Sequence, residues 1–235
     1  MDDTLILGLF WYAAFVVSTS FHEAAHAFVA YRLGDKTAFY GGQVSLSPIP
    51  HIRREPIGML IIPWISYAAN GWMMGWASTP YNPYWAEAHP RRAAWMTLSG
   101  PAANLLLAAA AGLLIHLGVA LGYFHPPNAI AFTRVAESGA DGLPNAAAIV
   151  VSIFFCLNLA LFVFNMLPIA PLDGQAWMEM LPRGRALMAY RMVMAHPSLR
   201  LFGLFAAWII MGFIYGPIFM LALNILYMPL GVSYL

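Results

Sequence analysis

Apolar residues along this chain gather into five blocks separated by short polar stretches. The first block runs over 5–33 and stops at Gly34-Asp35, a sequence suited to ending a helix. The third (93–121, rich in Ala and Leu), the fourth (146–167) and the fifth (201–227) each reach the roughly 20 residues a helix needs to cross a bilayer. The fifth carries Gly216-Pro217, where a kink is expected. The second block, 57–76, is interrupted by Pro63, Asn70, Gly71 and Gly75. Ahead of it, Gly41-Gly42-Gln43-Val44-Ser45-Leu46-Ser47 alternates like a short strand or hairpin arm. The pattern predicts an all-α polytopic membrane protein. About four full transmembrane helices would be joined by a re-entrant or interfacial segment and a short β-hairpin.

Composition strengthens this reading. Hydrophobic residues make up 61% of the chain and charged residues 9%, against about 25% charged in a typical soluble domain. The formal net charge is +1, and no basic tail points to nucleic acid. The opening Met1-Asp2-Asp3-Thr4 is acidic where a signal peptide would be positive, so the first block is expected to be retained. The single cysteine, Cys156, lies in an apolar run and reads as a small buried hydrophobe.

Charge sets the expected topology, because Lys and Arg flanking spans gather on the cytoplasmic side. Basic residues follow block one (Arg32, Lys36, Arg53, Arg54), precede block three (Arg91, Arg92) and follow block four (Arg183, Arg185, Arg191, Arg200). The connection between blocks three and four holds Arg134 against Glu137 and Asp141. If every block crossed, Arg91 and Arg92 would face outside; the charges share one side if block two dips into the membrane and returns, or lies at its surface, which is the arrangement favoured over simple alternation. Blocks one and four then run parallel. Irregular backbone at membrane depth must be covered by protein or line a wet cavity, so block two should border one. The tryptophans and tyrosines around it, such as Trp64, Trp72, Trp76 and Tyr81, suit a membrane-interface belt.

Near the cytoplasmic end of block one stands His22-Glu23-Ala24-Ala25-His26. Residues four apart share a helix face, so both imidazoles can reach one metal ion, and Glu23 can take a proton from water on it. This is the HExxH pattern of zinc-dependent proteases. Chance can also produce it, but an acid inside a span costs at least about 2.5–3.5 kcal/mol and seldom stands there idle. Catalytic zinc usually takes three protein ligands and leaves a fourth position open. His51, His89, His116, His125 and His196 are scattered. The better third candidate is Asp173, in Asn165-Met166-Leu167-Pro168-Ile169-Ala170-Pro171-Leu172-Asp173-Gly174. Pro168 and Pro171 unwind the end of block four and free a carboxylate to swing toward a metal. A helix N-cap is the alternative role for Asp173.

With Gly100-Pro101-Ala102-Ala103-Asn104 in a middle span, these elements resemble the site-2 protease family of intramembrane zinc metalloproteases, in that family's order from about 21 to 174. Pro50-His51-Ile52 and Pro56-Ile57-Gly58 resemble the smaller members, which lack added soluble domains. The resemblance implies one zinc ion per chain on His22, His26 and Asp173, with Glu23 as catalytic base and Asn165 close to the bound peptide. It implies a single membrane-embedded protease domain over 1–235, with a catalytic core over about 5–180 and a C-terminal helix over about 198–229. The expected partners are the bilayer and a transmembrane protein or peptide substrate. The expected place is a prokaryotic inner membrane, with the site toward the cytoplasm. Asn104 is a candidate to touch or shape the substrate site, or simply to tie two helices together. Gln43 is a further candidate, since 43–47 could hold substrate by adding a strand. Two departures bear on substrate handling: Ser78 lies where smaller members often carry a lysine nearby, and Gln175 stands where many have a second glycine. A metal transporter and a catalytically inactive relative are the rival functions.

Overall fold

The computed structural model describes residues 3–178, 180, 184–194 and 196–234; Met1, Asp2, Arg183 and the side chain of Arg200 lie outside the described residues. Four long helices dominate: α1 (Asp3–Leu33), α6 (Pro90–Ala120), α7 (Leu143–Asn165) and α10 (Pro197–Tyr227). All four positions are long and apolar enough to cross a membrane. Short helices fill the connections: α2 (Thr37–Tyr40), α3 (Pro48–Arg54), α4 (Ile62–Asn70), α5 (Pro83–Ala88), α8 (Gln175–Met178) and α9 (Arg185–Met194). The all-α polytopic class expected from the pattern holds. Helix α10 continues through Pro217.

Helix α6 runs antiparallel to α1, because Met96 meets His26 while Asn104 meets His22. Helix α7 runs parallel to α1, with Asn158 on Ser18 and the Ile153–Leu157 turn packed on Trp11 and Phe15. Ala108, Ala111 and Gly112 give α6 a small-residue face where Phe155 and Leu226 come close. Short side chains let helix backbones approach in a medium that offers no hydrophobic drive between helices. Cys156 is fully buried in this core.

Block two makes the inward excursion that the charge pattern favoured. A π-helical turn, Ile57–Ile61, leads into α4. Near its far end the Tyr67 hydroxyl donates to the Thr4 carbonyl at 2.8 Å, level with the first turn of α1. Gly71 closes α4 in the left-handed conformation (φ 77°) that glycine adopts without strain. The chain then returns as an extended strap over 72–82. Ser66 takes the Met74 N–H on its hydroxyl, and Trp76 N–H donates to the Gly58 carbonyl. Irregular backbone thus finds its partners in protein. Arg92 reaches the Leu33 carbonyl, so α6 starts where α1 ends.

At that same end the strap is tied down twice more. Ser78 donates to the Glu55 carboxylate and accepts from Arg54. Asp35 accepts from the Asn82 N–H at 2.7 Å, and from the Thr37 N–H and hydroxyl at 2.9 and 2.6 Å.

The expected β-hairpin around Gln43 does not form. The Gly42 and Gln43 N–H groups bond back to Phe39 and Ala38, closing α2 in a turn. Ser45 and Ser47 hydroxyls take the next N–H groups, and Ser47 caps α3. Local bonds of this kind compete directly with a ladder. Among the described residues the only β-bridges join His125 to Glu137 and Ala131 to Arg134, in the α6–α7 connection.

Two expectations follow. A Cβ at Gly75 would collide with the Gly58 carbonyl and the Phe15 ring. Gly75→Ala should therefore destabilise by about 1–3 kcal/mol, read as thermal unfolding in detergent; an unchanged transition would contradict the strap packing. Burial opposes charge on Asp35, yet the Thr37 and Asn82 donors prevail and hold its carboxyl below the usual range. Its stabilisation is then complete above its unfolded value, near pH 4, and fades as pH falls through the lower folded value. Asp35→Asn should remove that part of the acid dependence of unfolding, and identical acid profiles would count against it.

Candidate metal centre

His22 and His26 face inward from α1, toward α6 and the loop that follows α7. That loop starts where Met166 caps α7 and turns through Pro168 and Pro171. Gly174 sits so tightly on the Met166–Leu167 backbone that a side chain there would not fit. The turn delivers Asp173 to the histidines. Its Oδ2 lies 3.0 Å from His22 Nε2 and 3.2 Å from His26 Nε2, and the two Nε2 atoms are 3.0 Å apart.

The donor set fits a zinc ion. Three ligands at about 2.0–2.1 Å in tetrahedral directions stand about 3.3–3.4 Å from one another, close to the triangle observed. Both imidazoles use Nδ1 elsewhere: His22 on Asn104 Oδ1 at 2.6 Å and His26 on the Met96 carbonyl at 2.8 Å. The carbonyl can only accept, so His26 carries its proton on Nδ1 and turns a lone pair inward. Outer hydrogen bonds of this kind orient metal-binding histidines. Gly100 completes the cradle. A Cβ there would occupy the space directly against both Nε2 atoms.

Glu23 is buried, and its carboxylate lies within 4.8 Å of the imidazole nitrogens. The Thr79 hydroxyl on the strap sits 2.7 Å from Glu23 Oε2 and 3.0 Å from its backbone carbonyl. His22, Glu23 and His26 thus form a compact donor cluster, with the Asp173 carboxylate beside the two histidines. His51 and His196 are engaged elsewhere, His51 on the Ser45 carbonyl and His196 at the start of α10.

The chain resembles curated proteins over about 70% of its length. A Bacillus subtilis protein, "Putative zinc metalloprotease YwhC", is 33% identical over 165 residues, 70% of this chain and 65% of its own length. "Putative zinc metalloprotease Rip2" of Mycobacterium tuberculosis is 30% identical over 167 residues, 71% of this chain and 55% of its own. Its Mycolicibacterium smegmatis namesake is 28% identical over the same coverage. The family resemblance read from the motifs is borne out at the level of these relatives, which are named as putative zinc metalloproteases. It spans less than two thirds of the length of these relatives. No family model matches it, and no solved structure does.

The other residues picked out for the family role have distinct positions. Asn165, the last residue of α7, donates its amide to the Leu161 carbonyl at 3.1 Å. Asn104 is fully buried and its oxygen is held on His22 Nδ1, away from the nitrogen that meets Asp173. Gln43 is also buried. Beside it, Val44 and Leu46 line an open groove of about 340 Å³ with Phe21, Ala25, Phe28 and Ala103. Sequence reading missed Thr79, whose only signal is its contact across the fold.

Gly100→Val should leave the helices intact and remove bound zinc, measured as metal per purified chain. Full zinc occupancy in that variant would show that the ion sits elsewhere.

Proposed function

We propose that this chain is a zinc-dependent endopeptidase that hydrolyses peptide bonds in or near transmembrane segments of membrane proteins. The observation that carries the proposal is the meeting of His22, His26 and Asp173 within 3.2 Å, with Glu23 alongside, inside a bundle of membrane-length helices. Zinc held by those three groups would polarise a scissile carbonyl and acidify a water molecule. Glu23 would accept a proton from the attacking water and return it to the amide nitrogen as the C–N bond breaks. The Thr79 hydroxyl keeps the Glu23 carboxylate turned toward its task. Asn165 is the side chain proposed to meet the peptide.

A transmembrane substrate must unwind to expose a carbonyl. The apolar groove between α1 and the 44–46 segment supports docking of an extended, hydrophobic stretch beside the centre. The basic residues Arg32, Arg53, Arg54, Arg91 and Arg92 flank the end of the bundle nearest the metal cluster. That charge supports a cytoplasmic site in a prokaryotic inner membrane.

Glu23→Gln should lower cleavage of transmembrane peptides by at least about a hundredfold while bound zinc stays at the wild-type level. Cleavage at an undiminished rate would remove Glu23 from this role. Zinc in both forms with no cleavage by either, across a broad peptide panel, would favour the inactive relative.

A further inference from the structure

We infer that Asn158 is a positioning residue for the metal centre: acting through Asn104, it sets which nitrogen of His22 carries the proton. This rests on the zinc site proposed above. A neutral imidazole can hold its proton on either nitrogen. Only the form protonated on Nδ1 leaves Nε2 free to bind a metal. His22 meets an asparagine there, and an asparagine could turn either end toward it. Something must fix that choice.

The choice is fixed two residues away, by a group that can only accept. The Phe154 carbonyl lies 2.9 Å from Asn158 Nδ2, so the amide must turn its NH₂ that way. The same nitrogen donates to Ser18 Oγ at 2.8 Å. Asn158 Oδ1 therefore faces α6, 2.9 Å from Asn104 Nδ2, and needs a donor from it. The other Asn104 hydrogen points at a second acceptor, the Ser18 carbonyl, at 3.4 Å. Asn104 Oδ1 is left facing His22 Nδ1 at 2.6 Å, where only an N–H satisfies it. His22 Nε2 then turns its lone pair to the centre.

Ser18, Asn104 and Asn158 are all fully buried, so bulk water does not replace a wrongly turned partner. Packing alone gives no reason for an asparagine at this position. Phe155, Leu157 and Leu159, close to it in the sequence of α7, are buried apolar side chains, and leucine has nearly the same shape as asparagine. What leucine lacks is direction.

The test measures zinc affinity by chelator competition on the purified full chain in detergent. It compares wild type, Asn158→Leu, Asn104→Leu, the double variant and Asn158→Asp, with the melting temperature of each zinc-free protein alongside. Asn158→Leu should bind zinc about 10- to 100-fold more weakly. The double variant should bind no more weakly than Asn104→Leu alone, because both act by one route. Asn158→Asp keeps an acceptor toward Asn104 and should bind more tightly than Asn158→Leu, even if it melts lower. Wild-type affinity in Asn158→Leu, or losses that multiply in the double variant, would overturn the inference. A wild-type protein that binds no zinc would instead overturn the proposed centre.

Discussion

Two imidazoles and a carboxylate within 3.2 Å of one another, inside an apolar bundle, impose the condition the rest of the structure meets. Such groups are costly to bury unless every proton and charge has a partner. Helix α6 supplies most of what is needed: the Met96 carbonyl for His26, the Asn104 amide for His22 and the empty face of Gly100 between them. These three positions are four residues apart, so one face of one helix carries them all. Helix α7 contributes on both sides, with Asn158 inside its span and Asp173 beyond its unwound end.

The excursion over 57–82 answers a second requirement. Glu23 also lies on α1, next to His22 in sequence, and its carboxylate takes a hydrogen bond from the returning strap, through Thr79. Its neighbour Ser78 ties the same stretch to Arg54 and Glu55. An extended segment anchored by side chains can place one hydroxyl against a carboxylate, where a straight helix through the membrane would be committed to its own backbone bonds. The collisions that side chains at Gly58 and Gly75 would cause show how close the strap lies to the helix before it.

Much of this was legible in the sequence for identifiable reasons. His22 and His26 share a helix face by spacing alone. Asp173 was singled out because two prolines announce unwound chain, and the structure places it on the histidines. The inward return of block two was favoured because it keeps Arg91 and Arg92 on the side of the other basic residues, and Arg92 on Leu33 agrees. Alternation at Gln43–Ser47 misled, because period-two patterning predicts a strand only if a partner strand exists, and here the N–H groups close local turns. Asn104 was noticed as polar within a span, but its direction toward His22 rather than toward an open groove depends on three helices at once. Asn158 and Thr79 carry no local motif; their meaning lies in partners dozens of residues away.

X-ray absorption at the zinc edge on the purified protein tests the central claim most directly, since it reads the atoms around the metal without requiring a substrate. The proposed centre predicts one zinc per chain, with two imidazole nitrogens at about 2.0–2.1 Å and oxygen ligands beside them. His22→Ala should lose one imidazole contribution. A shell dominated by sulfur, an imidazole count unchanged in that variant, or no stoichiometric zinc would contradict it.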